Sequence, residues 1–266
     1  MTRKLFPVLL CAVLAAAAAG CLTSGSGSEP VKLATYNIQI GRGMDRRYNI
    51  DRTVEALRRI SAETIVLNEV DVGTDRSQGD DQPAILARKL GLNYLFGRAS
   101  DRPGGVYGNV VLSVHELEQL DLIDLEADGH ESRSALVVKV KAPRPYYIIA
   151  AHLAFQQLPE IEAVRIRNME FLGNYLKEKK YYPAVLCGDL NSAGDSPVIR
   201  KAQEVGFQVV DDLSGKALSW PADQPRILLD YFCLYPADAG TVKEFKVVDE
   251  RMASDHRPVY AEILFK

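Results

Sequence analysis

Val185-Leu186-Cys187-Gly188-Asp189-Leu190-Asn191 is an apolar run that stops on a carboxylate, with an amide two residues further on. Its apolar, bounded character predicts a buried strand over Ala184–Asp189. The same pattern recurs on both sides. Val31–Tyr36 stops at Asn37, Ile65–Leu67 at Asn68-Glu69, Ile148–Ala151 at His152 and Leu228-Leu229 at Asp230. Ser254-Asp255-His256 precedes a last strand, Pro258–Phe265. Further strands are expected over Tyr94–Gly97, Val106–Val114, Ala135–Lys141 and Thr241–Val248, with Ala142-Pro143-Arg144-Pro145 as a hairpin turn. Helical spacing appears in Ile50–Ile60, where Ile50, Val54, Leu57 and Ile60 share a face. It appears again in Pro83–Leu90, in Glu160–Lys179 and briefly after Pro197. Strands outnumber helices, and each half reads strand–helix–strand plus a hairpin. Two packed sheets covered by helices, in one α/β domain over residues 31–266, bury these faces. One polar residue at a strand end is an ordinary turn former. Six in one chain, two of them histidines, converge on one edge of such a sandwich and mark it as the candidate site.

The chain has 266 residues, 32 basic and 35 acidic side chains, a net charge of −3 and 47% apolar content. These values exclude wholesale disorder, a collagen repeat and a polytopic membrane protein. A pI near 5.9 provides no global field for polyanions, so nucleic acid would need a local basic patch. Arg3 and Lys4 precede the apolar run Leu5–Ala19, then Gly20-Cys21, the pattern of a secretory signal peptide. Cys21 resembles the lipidated cysteine of a lipoprotein signal, although Ala18 stands where Leu is usual. Residues 1–21 are therefore expected to direct export and 22–30 to form a flexible tether. The domain would then be lipid-anchored to a membrane of the cell envelope, or secreted or periplasmic if Cys21 is not lipidated. Cys187 and Cys233 read as buried free thiols.

Taken together, Thr35-Tyr36-Asn37, Leu67-Asn68-Glu69-Val70-Asp71, Tyr107-Gly108-Asn109, Ala151-His152-Leu153, Gly188-Asp189-Leu190-Asn191, Asp230-Tyr231 and Ser254-Asp255-His256 resemble the endonuclease/exonuclease/phosphatase superfamily. Asp71 with Thr74-Asp75-Arg76-Ser77 and Asp81-Gln82 resembles a compact bacterial branch of it. Departures are Asn68 where Gln is common, Ala151 where Thr precedes the histidine, and Leu228-Leu229 where Arg-Ile precedes the aspartate. The resemblance implies a DNase I-like four-layer sandwich of two mainly antiparallel sheets flanked by helices. It also implies metal-assisted hydrolysis of a phosphate ester, with Mg²⁺ or Mn²⁺ as cofactor. By resemblance Glu69 is the principal metal ligand, Asn37 a neutral oxygen beside it and Asp255 the third. Asp189 orients or deprotonates water, Asn191 holds phosphate or nucleophile, and Asp230 orients His256. His152 is the second histidine, near the leaving group, and which of the two is acid or base stays open.

Asn109 is expected to contact phosphate, or else to serve a tight turn. Arg133 and Arg76 are candidate substrate contacts, or else solvated charges. His115 and His130 match no motif and read as surface residues. Trp220 reads as core packing or as a substrate platform. The substrate classes left open are nucleic acid, a phospholipid and a small phosphate ester; a binding lipoprotein that has lost activity is the rival class. No protein partner is indicated, and a monomer is expected.

Overall fold

The computed structural model describes residues 29–211 and 216–266. In chain order these residues form β1 (Val31–Asn37), α1 (Ile50–Ile60), β2 (Thr64–Val72), α2 (Gln82–Leu90), β3 (Asn93–Arg102) and β4 (Gly105–Ser113). β5 (Leu117–Leu125), β6 (Arg133–Val140), β7 (Tyr146–Ala151), α3 (Pro159–Lys179), β8 (Ala184–Asp189) and α4 (Pro197–Glu204) follow. β9 (Gln208–Val210), β10 (Asp230–Tyr235), β11 (Gly240–Val247) and β12 (Val259–Phe265) complete the fold. The expected signal segment and Cys21 lie outside the described residues, as does most of the expected tether.

Local chemistry sets the helix ends. The Asn49 side chain accepts from the amides of Asp51 and Arg52 to start α1, and Ser61 ends it in a left-handed turn. Pro159 opens α3, where its missing N–H costs nothing. The α1 stripe Ile50, Val54, Leu57 and Ile60 is buried.

One sheet has the order β11-β12-β1-β2-β4-β3 and the other β5-β6-β7-β8-β10-β9. Each contains a single parallel pair, β1 with β2 across α1 and β7 with β8 across α3; all other pairs are antiparallel. Alternation sorts the core. Leu33 and Val66 point between the sheets, towards Leu136, Ile148 and Leu186. Their neighbours Ala34, Tyr36, Ile65 and Leu67 pack under α1 and α2. Met169, Leu172, Val198 and Ile199 cover the outer face of the second sheet. The result is the expected four-layer sandwich.

Two strands escape a reading by periodicity. β5 has a bulge between Gln119 and Asp121 that breaks its alternation. β9 is only three residues long. The β6–β7 hairpin forms where the Pro-rich turn was expected. Gly188, in the decisive run, adopts φ 139°, and a Cβ there would lie 1.9 Å from the Ala151 carbonyl oxygen. Only glycine lets β8 run this close to β7 at the sheet edge.

Candidate active site

The two parallel pairs bring their carboxyl ends to one edge of the sandwich. Asn37 is in register with Asn68, and Asp230 with Asp189. Between Leu67 and Val70 the β2–β4 ladder carries a bulge, and Glu69 sits in it at φ 56°. That left-handed conformation is costly for a non-glycine residue and re-aims its side chain out of the alternation, so that it lines the cavity at this edge. The cavity measures about 620 Å³ and is also lined by His152, Asp189, Asn191, Asp255 and His256.

Asp189 lies at the centre of the cluster. Its Oδ2 accepts from Asn37 Nδ2 at 3.1 Å and its Oδ1 from the Asn191 amide at 2.9 Å. The same Oδ2 is 3.6 Å from His152 Nε2 and 3.7 Å from His256 Nε2. Burial raises the Asp189 carboxyl to about 7, against the charge of His256 and with that of Asp230. His256 donates through Nδ1 to Asp230 Oδ2 at 2.8 Å, and Ser219 Oγ donates to the same oxygen at 2.6 Å. Burial opposes the charge on His256, but the carboxylates of Asp230 and Asp189 overcome it and hold its pKa at about 10. These two carboxylates favour the protonated form of His256.

His152 is the opposite case. Burial, with the charges of Arg133 and His256, pushes its pKa well below the ordinary value. Asn191 Nδ2 lies 3.2 Å from Nε2 and has only hydrogens to offer, so Nε2 accepts. The ring proton belongs on Nδ1, 3.4 Å from the Tyr107 hydroxyl. Tyr107 is flanked by the guanidinium groups of Arg76 and Arg102, 5.3 and 5.1 Å from its ring centre.

Asn37, Glu69, His152, Asp189, Asn191, Asp230, Asp255 and His256 thus come together, while the three candidate substrate contacts are placed differently. Asn109 is buried behind the site, accepting from Asn68 Nδ2 at 2.8 Å and donating to the Ser134 carbonyl at 3.0 Å. Each end of its amide is bonded to another strand, and it does not line the cavity. Arg76 grips the buried Asp71 through two bonds of 2.8 Å, a pairing that occupies its guanidinium fork. Arg133 is buried and pairs with Glu131 at 2.8 Å, so it acts on the site through its charge and does not line the cavity. Asn37 lies beside Glu69. Its oxygen accepts from the Gln39 amide at 3.0 Å, and its nitrogen donates to Glu69 Oε1 at 3.2 Å.

Asn68, read only as a departure, proves to be a clasp between the sheets. It donates to Asn109 and to the Ala151 carbonyl and accepts from the Asp189 amide at 2.9 Å. The bond of Ser219 to Asp230 and the place of Tyr107 beside His152 are not legible in the sequence, because a lone serine and a strand tyrosine carry no signal of partnership. Cys187 and Cys233 are buried free thiols.

Two groups of donors could serve a divalent cation. Glu69 and Asp255 face the same cavity with hard carboxylate oxygens. Burial raises the Glu69 carboxyl; the Asn37 bond counters this, and the charge of Asp255 adds to it, a repulsion that a cation would relieve. Asp189, Asp230 and His256 also converge, with one ligand atom from each within 4.8 Å of the others. There His256 Nδ1 is already bonded to Asp230 Oδ2, whereas the carboxylates of Glu69 and Asp255 face the cavity without such a partner between them.

Residues 34–256 match the model of the Endonuclease/Exonuclease/phosphatase family. The uncharacterized protein YbhP of Escherichia coli is 25% identical over 248 residues, covering 87% of this chain and 95% of its own. An endonuclease/exonuclease/phosphatase structure from Beutenbergia cavernae superposes with a TM-score of 0.73 at 23% identity, over 89% of this chain and 72% of that one. A mannosyl-6-phosphatase from Bacteroides thetaiotaomicron has a TM-score of 0.69 at 16% identity, over 88% and 100%.

Proposed function

The chain belongs to the endonuclease/exonuclease/phosphatase family, and from that premise we propose that it is a metal-dependent hydrolase of phosphate-ester bonds. The observation that carries the reading is Asp189, held by Asn37 and Asn191 with the Nε2 atoms of His152 and His256 3.6 and 3.7 Å from its Oδ2. Glu69 and Asp255 would hold Mg²⁺, or Mn²⁺ in its place. When bound, the cation polarises the phosphoryl oxygen and offsets the negative charge developing on it. The remaining work falls to side chains of the protein. Asp189 orients the attacking water and accepts its proton, a task that suits a carboxyl with a pKa near 7. His256, held charged by Asp230, offers its Nε2 proton to the phosphate or the departing oxygen. His152 stays neutral and acts as an acceptor. A binding protein that had lost activity would have no need of this set, and every member of it is present.

Export and lipid attachment through Cys21 belong to the same proposal. They are supported by the charged start, the apolar run and Gly20-Cys21 in the sequence. DNA, RNA, sphingomyelin, a phosphoinositide and simple phosphate mono- and diesters, each with and without Mg²⁺ or Mn²⁺, test the function. Turnover of at least one of them only when metal is added is expected. Absence of turnover across the whole set would refute the reading.

A further inference from the structure

Phe155 and Trp220 are large aromatic side chains left 54% and 39% exposed, and both line the cavity that holds Asp189 and the two histidines. Scattered apolar residues on a surface are ordinary. These two differ because the surrounding chain is braced to present them. Phe155 lies three residues beyond His152. Arg165 Nη1 donates to the Ala154 carbonyl at 2.8 Å and to the Gln156 carbonyl at 2.9 Å, one on each side of it. Gln157 Nε2 donates to the carbonyl of Phe155 itself at 3.0 Å. Trp220 follows Ser219, the residue that anchors Asp230, and exchanges two backbone bonds with Ile227 at 3.0 and 3.1 Å. Each aromatic therefore sits on a fixed loop tied to one of the two histidines.

Ile227 and Leu229 extend the apolar wall beside Trp220. The polar lining is made of Glu69, Glu162, Asp189, Asp255, Arg165 and His256. Arg165 is itself buried, with its Nη1 committed to the two carbonyls. The apolar wall and the two aromatics favour an ester with an apolar body beside its phosphate.

On the phosphoesterase reading above, we infer that the site takes phosphate esters whose alcohol carries a flat apolar group, which packs on Phe155 and Trp220. Aromatic walls that are already fixed lose little entropy on binding, so the area they bury on the alcohol is realised as affinity.

Because Trp220 is the single tryptophan of the sequence, its fluorescence reports on this subsite without any turnover. The test uses the full chain with Mg²⁺. 2-Phenylethyl phosphate is compared with ethyl phosphate, each as monoester and as methyl diester, so that the leaving alkoxides are of similar basicity. The non-hydrolysable 2-phenylethylphosphonate and ethylphosphonate are titrated against Trp220 emission. The expected result is a preference of about tenfold in kcat/KM, and in the concentration giving half the emission change, for the phenyl compounds. In Phe155→Ala that ratio falls towards one, and Phe155→Leu retains part of it; the unfolding transition of each variant verifies its fold. Equal hydrolysis and equal binding of the two series would overturn the subsite and leave the phosphoesterase reading standing. Discrimination by emission with no hydrolysis of either series would uphold the subsite and leave the phosphoesterase reading to the wider substrate set above. Absence of both hydrolysis and discrimination in binding would overturn the subsite.

Discussion

His152 and His256 are the same residue type 3.6 and 3.7 Å from one carboxylate oxygen, yet they hold opposite charge states. The difference lies in their other neighbours. His256 has Asp230 on Nδ1, whereas His152 has the Tyr107 hydroxyl and the positive field of Arg133. This has a consequence for stability. In the unfolded chain an imidazole takes a proton below about pH 6.5. Folded His152 does not, so its contribution is undiminished above that pH and is lost as pH falls below it, by up to about 1.4 kcal/mol per unit. Asp189 and His256, both raised, act in the opposite sense, so the informative quantity is a difference between proteins. Denaturant unfolding between pH 5 and pH 8 should show His152→Gln gaining on the wild type as the solution is acidified. Parallel profiles for the two proteins would show that His152 is protonated in the fold.

At the scale of elements, much of the site was readable because strands in a sandwich must end at an edge. Asn37 and Asp189 end their strands and His152 follows the end of β7, whereas Asp230 opens β10, which reaches the same edge by running antiparallel to β8. What stayed hidden depends on irregularity or on pairing. The β2 bulge that aims Glu69 has no signature in the pattern Leu67-Asn68-Glu69-Val70. Arg76 looked free for substrate because nothing local reveals that Asp71 is buried beneath it. Asn109 looked available because its partners, Asn68 and the Ser134 carbonyl, come from other strands. Gly188 shows how a motif residue can be required by packing before chemistry. Gly188→Ala places a methyl against the Ala151 carbonyl and forces an unfavourable φ. A loss of roughly 3 kcal/mol or more is expected from denaturant unfolding. A loss below about 1 kcal/mol would mean that the β7–β8 approach relaxes freely.

For the whole molecule, the two sheets have the same plan, with one parallel pair each and the crossover helix on the outside. The cleft forms where the two parallel pairs meet, and Asn68 joins them. β1 begins at Val31, at the opposite end of the strand from Asn37, so the segment that carries Cys21 joins the domain away from the site. Fractionation of cells producing wild type and Cys21→Ser tests the anchor: wild type should sediment with membranes and the variant should not. Equal amounts of both in the soluble exported fraction would reject lipid attachment.

The account stands or falls on Glu69 as the carboxylate that holds the metal. The most direct measurement is the rate of phosphate-ester hydrolysis as a function of Mg²⁺ concentration, for wild type and Glu69→Gln, on the best substrate of the test set. Glutamine keeps the shape and the Asn37 contact region but removes the charge. At limiting Mg²⁺ the variant should be slower by about a hundredfold or more with its unfolding transition intact. A folded Glu69→Gln protein that matches the wild-type rate across the Mg²⁺ range would contradict the account.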